Sequence, residues 1–195
     1  MSGNYNTLDT VTLADETSLD RPRQEMRESV GLNESAMHVV TDLSKVAAMT
    51  INPCASIDNA SERMIAGNVR LLFVTDQYYN VMGLITSRDL MGDRAILYMQ
   101  EHGGKREDIM VRDIMTPRHK IEALQLEDVK NARVGDIVET LRRMGRQHAL
   151  VLAKDESGSR IAGVISTTQV TKQTGEDISV AGVASTIADL AAARR

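Results

Sequence analysis

One pattern occurs twice in this sequence: an apolar strand that carries a glycine near its middle and ends in a hydroxyl residue. The first copy occupies residues 81–86 (VMGLIT) and the second occupies residues 161–166 (IAGVIS). Each follows another apolar stretch across a short polar turn, which is the pattern of a β-hairpin. In a chain of 195 residues, this repeat predicts one structural unit used twice, with related clefts between the copies.

Hydrophobic periodicity around the hairpins predicts the same element order, β-α-β-β-α, in each copy. For copy one we predict strands at 40–43, 49–53, 70–75 and 81–85, and helices at 58–67 and 90–102. Copy two opens at 111–117, and its helix presents one apolar face and stops at Gly145: Val134, Ile137, Val138 and Leu141. A strand at 148–152 and a last helix at 178–193 complete it. The predicted fold class is therefore α/β (α+β), built from two repeats.

The repeats divide the chain into three predicted regions. Residues 1–35 are polar without a sustained period, which predicts a flexible N-terminal tail with a short helix near 23–30. Residues 36–106 are predicted to form the first repeat with its following helix. Residues 107–195 are predicted to form the second repeat with a C-terminal helix.

Composition disfavours several classes of protein. The single cysteine, Cys54, excludes an intramolecular disulfide, and no Cys/His cluster has the spacing of a metal site. No apolar run approaches the roughly 20 residues that span a bilayer, so we expect a cytoplasmic protein that does not associate with membranes. A net charge of −4 and an aromatic content of 3% disfavour nucleic-acid binding.

The sequence also lacks the signs of an enzyme. Its four histidines are scattered over tail, helix end, loop and strand: His38, His102, His119 and His148. None has a serine, cysteine or carboxylate at the spacing of a catalytic triad. We therefore expect no catalytic residues and no metal.

Two motifs carry a resemblance to a known family. Asp113–Pro117 reads DIMTP, and Gly83–Asp89 reads GLITSRD. An Asp-hydrophobic-Met-Thr-Pro opening and a Gly-x-x-Thr-x-x-Asp close, within a doubled β-α-β-β-α pattern, resemble tandem CBS (cystathionine-β-synthase) domains, which form a Bateman module. The resemblance covers about residues 39–190. It departs from the family where copy one opens with Asp42–Lys45 and where copy two closes with Gln169 instead of an acid.

The resemblance implies a sensor and not a catalyst. In this family two repeats pack into one compact module with pseudo-two-fold symmetry, and the modules commonly form homodimers. Adenosine-containing ligands (AMP, ADP, ATP, NAD or S-adenosylmethionine) bind in the clefts between the repeats and bias a partner protein. We therefore expect a regulatory module that requires no cofactor, binds such a ligand and acts on an unknown partner.

The first copy offers a candidate ligand site at Gly83, Thr86, Arg88 and Asp89. Gly83 lacks a Cβ, so a flat ligand or another backbone can approach the strand closely. Thr86 lies where a helix begins and can meet a phosphate, Arg88 adds positive charge, and Asp89 can accept bonds from both ribose hydroxyls. The alternative is a helix capping box, in which Thr86 and Asp89 bond to each other's backbone N–H without any ligand.

The second copy separates these two interpretations. Ser166 and Gln169 also fit a capping box, so helix capping is expected in both copies. A neutral amide, however, loses a charge-assisted bond to ribose worth roughly 1.5–3 kcal/mol. We therefore predict that the first cleft is the better ribonucleotide site and that the second is weak, altered in ligand or empty. The second cleft is assigned these residues: Thr116, Pro117, Arg118, Lys120, Gly163, Ser166 and Gln169.

Two alternatives stay open at this point. Arg118 and Lys120 fit a solvated loop as well as they fit a phosphate contact. The stripe of Val183, Ile187 and Leu190 can pack on its own module or against a second chain, and we expect self-association. The alternative function is a structural homodimerisation or protein-interaction module without a ligand, in which side chains fill the clefts.

Overall fold

The computed structural model describes residues 8–18, 22–156 and 158–178. Within these residues the strands are β1 (Thr41–Asp42), β2 (Thr50–Ile51), β3 (Leu71–Thr75), β4 (Val81–Thr86), β5 (Thr116–Pro117), β6 (Ala123–Gln125), β7 (His148–Asp155) and β8 (Gly158–Ser166). The α-helices are α1 (Ile57–Gly67), α2 (Ser87–Met91), α3 (Asp93–His102), α4 (Val111–Ile114), α5 (Leu126–Asn131), α6 (Val134–Met144) and α7 (Thr167–Thr174). Short 3-10 helices lie at Ala36–Val39, Arg106–Asp108 and Arg118–Lys120. The α/β fold class predicted from the sequence is confirmed.

The strands form two four-stranded sheets with the orders β2-β3-β4-β5 and β1-β8-β7-β6. In each sheet the hairpin of one copy is flanked on one side by a parallel strand of the same copy, β2 beside β3 and β6 beside β7. On the other side lies the opening strand of the other copy, because β5 pairs with β4 and β1 pairs with β8. The two copies therefore exchange their opening strands, and each sheet contains strands from both.

The repeated glycines make room for this exchange. Gly83 pairs with β5, and a Cβ on it would stand 2.5 Å from the carbonyl oxygen of Thr116. Gly163 pairs with β1, and its Cβ would stand 2.5 Å from Val40 Cγ1 and 3.0 Å from the carbonyl oxygen of Thr41. Of the two neighbours that the sequence suggested for Gly83, the close one is therefore another backbone.

The pairing also corrects the alignment of the two copies. Asp42 lies opposite Gly163 in the same way that Pro117 lies opposite Gly83. The sequence comparison aligned Asp42 with Asp113, which is wrong, because the structural counterpart of Asp42 is Pro117. An opening strand of two residues carries too little pattern to specify its register, which is set by the glycine on the strand that it joins.

Buried side chains join the two sheets and hold the helices on them. Leu71 and Phe73 of β3 pack against Leu150 of β7, so the two sheets face each other. Burial of each side chain of this size contributes about 1.5–3 kcal/mol. The apolar face predicted for α6 is buried against the sheet of the second copy: Val134, Ile137, Val138 and Leu141.

The helix predicted at 90–102 is two helices. Thr86 caps α2, which begins at Ser87, and Gly92 separates α2 from α3 with an extended backbone (φ −89°, ψ −168°). A Cβ at Gly92 would stand 2.7 Å from the carbonyl oxygen of Arg88. The predicted start was late because the cap at Thr86 begins the helix before its apolar pattern becomes visible.

The stretch before the first repeat is ordered where the sequence predicted a flexible tail. Residues 22–30 form no helix, so the short helix predicted there is wrong. Val30 is buried in the core of the second copy, and the N–H of Val134 donates to the carbonyl of Glu34 at 2.9 Å. Residues 22–35 therefore pack on the second copy through one apolar anchor and backbone bonds, which a polar composition hides. The predicted C-terminal helix lies largely outside the described residues.

Candidate functional site

In the first copy, the side chains at the start of α2 are engaged with each other. The backbone N–H and the hydroxyl of Thr86 both donate to Asp89 Oδ2 at 2.8 Å, and the N–H of Asp89 donates to Thr86 Oγ1 at 3.4 Å. Arg94 Nη1 lies 3.0 Å from Asp89 Oδ1, and the Asp89 side chain is only 9% exposed. Both carboxylate oxygens therefore have partners inside the protein, and the capping box is present. Arg88 is exposed.

Arg94 connects Asp89 to the exchanged strand β5. Its Nη1 also donates to Thr116 Oγ1 at 3.1 Å. A groove of about 380 Å³ lies beside Arg94 and is lined by Thr116, Pro117 and Lys120, among others. These predicted site residues thus gather on the side of the first copy, around an arginine that the sequence analysis did not single out.

The sequence grouped residues 116–120 with the end of β8, and this grouping is wrong. Because β5 pairs with β4, Thr116 and Pro117 lie beside the strand of Gly83. The end of β8 is joined instead by β1. Arg118 is exposed in the 3-10 helix that follows β5.

A larger cavity, of about 500 Å³, lies where β8 ends and α7 begins; we call it the second cleft. Side chains of both copies form its apolar wall, among them Leu71, Phe73 and Val164. Its polar lining is Thr41, Asn68, Arg70, His148, Ser166, Thr168 and Gln169. Two of the residues predicted for this cleft, Ser166 and Gln169, line it, whereas Gly163 is covered by β1.

Ser166 and Gln169 are uncommitted, unlike their counterparts in the first copy. Helix α7 begins after Ser166 without a side-chain capping bond, and ψ is 129° at Ser166 but 164° at Thr86. The capping box predicted for the second copy is therefore wrong. Among the described residues, Ser166 and Gln169 make no side-chain hydrogen bond, so both can bond to a ligand.

Arg70 brings positive charge into the second cleft from the other copy. It precedes β3, and its Nη2 donates to Thr168 Oγ1 on α7, a contact between residues 98 positions apart. Burial lowers the pKa of Arg70, but a guanidinium remains a cation throughout the physiological range. Among the described lining residues, Arg70 is the only one that is charged at neutral pH.

His148 begins β7 and lines the same cleft. Its Nδ1 is buried and has no hydrogen-bond partner among the described residues. Burial, and secondarily the nearby Arg70 cation, lower the pKa of His148 from 6.5 to about 4. The ring is therefore neutral at pH 7 and presents an unused nitrogen to the cleft.

The depressed pKa of His148 predicts a loss of stability in mild acid. Between pH 6.5 and about 4 the unfolded chain binds a proton at this histidine that the folded chain does not, so stability falls as pH falls. We expect a loss of roughly 2 kcal/mol in unfolding free energy between pH 7 and pH 5, measured by urea denaturation. His148→Gln should lose less by that amount, whereas the exposed control His119→Gln should match the wild type; equal losses in all three would contradict the assignment.

The sequence analysis did not include Arg70 or His148 among the site residues. It noted that the two occupy equivalent positions before paired strands, and interpreted His148 as a strand flank. The useful signal was that equivalence: a titratable side chain at the same place in both copies, beside the repeat boundary, has no role in either hairpin. The contact that brings Arg70 to α7 exists only after the two copies pack.

Two further properties bear on the kind of site this is. No group of three or more His, Cys, Asp or Glu side chains in the described part of the chain could hold a metal ion. None of the helices within residues 8–18, 22–156 and 158–178 is long and apolar enough to cross a membrane.

Comparisons with known proteins agree with this architecture. Residues 40–95 match the family model of the CBS domain. CBSX2 of Arabidopsis thaliana, solved in complex with AMP, aligns with a TM-score of 0.51 and 19% identity over 71% of this chain and 94% of that chain. An uncharacterised conserved protein from Pyrococcus horikoshii aligns with a TM-score of 0.53 and 22% identity over 72% and 92%. A search of curated protein sequences found no match.

The fold therefore defines a protein of two CBS-type repeats that exchange opening strands around paired clefts. The family model covers the first repeat, and the second has the same topology. The chain is a tandem CBS-domain protein, as its sequence predicted.

Proposed function

We propose that this protein is a regulatory module that binds an adenine nucleotide in the second cleft. The observation that carries the proposal is the contrast at the helix starts. Ser166 and Gln169 are free to bond a ligand beside Arg70 in a cavity of about 500 Å³, whereas Asp89 is engaged on both oxygens. A cavity of this size falls within the range of roughly 300–1,000 Å³ that small-molecule sites occupy.

The walls of the cleft suit a purine. Phe73 and Val164 offer apolar surface to a flat ring. Ala47 and Ala48 line the cleft on the segment before β2, and their backbone groups make no hydrogen bond to the described residues. Free N–H and C=O groups in an extended segment can bond to the edge of an adenine, since that edge carries both donors and acceptors.

The polar end suits ribose and one phosphate. Ser166 and Gln169 supply a hydroxyl and an amide for the sugar hydroxyls, and Arg70 supplies a cation for the phosphate. Since His148 is neutral at pH 7, the described lining carries a single positive charge, which balances a monophosphate better than a triphosphate. AMP is therefore the first ligand to test, and a structure of the same fold was solved with it.

Isothermal titration with AMP, ADP, ATP, NAD and S-adenosylmethionine tests the proposal. We expect AMP to bind most tightly, and Ser166→Ala combined with Gln169→Ala to weaken it by about tenfold, because two neutral hydrogen bonds are lost. Asp89→Asn should leave AMP affinity within about twofold, since that carboxylate serves the capping box.

Two outcomes would contradict the proposal. Loss of AMP binding in Asp89→Asn, with normal binding in the Ser166/Gln169 variant, would return the site to the first cleft. No heat and no thermal shift with any of the ligands would favour the structural alternative, a dimerisation module whose clefts hold no ligand.

A ligand in this cleft touches both repeats, and that is how it would regulate. Arg70 belongs to the first copy and Gln169 to the second, so binding favours the arrangement of repeats in which both reach the ligand. No nucleophile with a base is present in the described lining, so the ligand is sensed and not transformed. Self-association stays a prediction, because Val183, Ile187 and Leu190 lie outside the described residues.

A further inference from the structure

Residues 24–30, which we call the strap, precede the first repeat and lie outside the span that matches the family model. The strap is attached at its start by the side chain of Gln24. Gln24 Nε2 donates to the carbonyl of Val40 at 2.9 Å, and Gln24 Oε1 accepts from the N–H of Asp42 at 2.6 Å. This amide thus satisfies two backbone groups on the strand β1, which is an edge of its sheet.

The other end of the strap is attached to α7. The N–H of Val30 donates to the carbonyl of Gln173 at 2.9 Å, and Gln173 Nε2 donates to the carbonyl of Arg27 at 2.8 Å. Val30 is 4% exposed, within the core of the second copy. Gln173 itself is buried, so these bonds are shielded from water and hold the strap firmly.

Between the two attachments, Met26 lines the second cleft. The cavity has its volume of about 500 Å³ with the strap in place, so a nucleoside monophosphate does not require the strap to leave. A methionine side chain is flexible and polarisable, and it packs favourably against aromatic rings. The strap therefore closes the cleft on one side with a side chain suited to a purine.

We propose that the strap is part of the ligand site: Met26 packs against the bound base, and Gln24 is the positioning residue that holds Met26 there. This inference rests on the proposed function of the second cleft. It also gives the bound state a local readout. Gln169 in the cleft and Gln173 under the strap are one turn apart on α7, so a ligand that orders the start of α7 also orders the strap.

The test is AMP titration of the full chain with Met26→Ala and Gln24→Ala. Each should weaken AMP by about fivefold, the effect of losing packing against one side of the base. Matched controls are Met82→Ala, an exposed methionine on β4, and Gln77→Ala, an exposed glutamine in the β3–β4 turn; both should bind like the wild type. Thermal unfolding of each variant verifies that it is folded.

Limited trypsin digestion supplies the second measurement. Cleavage after Arg27, which is exposed within the strap, should slow when AMP is added to the wild type and should not slow in Gln24→Ala.

The outcomes separate the inference from the function it rests on. If wild type binds AMP and both strap variants bind equally well or better, the inference is wrong and the proposed function stands. Unchanged cleavage after Arg27 in the presence of bound AMP would also overturn it. If the wild type binds no AMP, the proposed function fails and the inference falls with it.

Discussion

Replacing Arg70 with glutamine is expected to lower the affinity for AMP by about 10- to 100-fold, the range for losing a charge-assisted hydrogen bond. The guanidinium is the only cation in the described lining of the second cleft, so no neighbouring positive charge compensates. Adenosine, which lacks the phosphate, should lose no more than about threefold on a neutral–neutral contact. Isothermal titration of both ligands measures this difference directly.

Arg88→Gln is the matched control for this experiment. Arg88 lies on α2 and is exposed, and it is the arginine that the sequence analysis assigned to the first cleft. If AMP binds in the second cleft, Arg88→Gln should bind AMP like the wild type. A loss confined to Arg88→Gln, or an equal loss of AMP and adenosine in Arg70→Gln, would show that Arg70 does not hold the phosphate.

Replacing Gly83 with alanine is expected to destabilise the protein by about 1–3 kcal/mol, the usual cost of overpacking a buried position. The added methyl would stand 2.5 Å from the carbonyl oxygen of Thr116, so the exchanged strand β5 must shift. Backbone moves less easily than the end of a side chain, and β5 has only two residues with which to adjust. Urea denaturation monitored by circular dichroism measures the loss.

Gly31→Ala is the control for Gly83→Ala. A Cβ at Gly31 would meet only the side chain of Glu34, at 3.5 Å, which is ordinary contact. Its unfolding free energy should stay within about 0.5 kcal/mol of the wild type. Equal stability of the Gly83 and Gly31 variants would contradict the role of Gly83 in strand exchange. The folded fraction of the Gly83 variant should still bind AMP, because the second cleft is built on β8.

Some of the site could be predicted from local sequence and some could not. The helix start at Thr86 and the capping role of Asp89 follow from four adjacent residues, and the structure contains that capping box. The same reasoning failed at Ser166, where the residue types fit but no capping bond forms. The hydroxyl and amide at those positions permit a capping box, but the backbone conformation decides whether one forms.

The choice between the clefts depended on contacts that local sequence does not contain. A carboxylate was expected to favour ribose, which made the first cleft the better candidate. In the folded chain Arg94 takes the remaining oxygen of Asp89, while Arg70 crosses to α7 in the second copy. The proposed site therefore follows the side chains left without internal partners, and not the residue with the strongest bond in isolation.

The sequence by itself determined the two repeats, their order of strands and helices, and the family they resemble, because periodicity, turns and caps are properties of neighbouring residues. The tertiary structure alone decided that the opening strands exchange and that Gly83 and Gly163 make room for a backbone. It also decided which cleft is open. Those features arise from pairing between distant segments, and a two-residue strand or a contact 98 positions long leaves no local pattern to read.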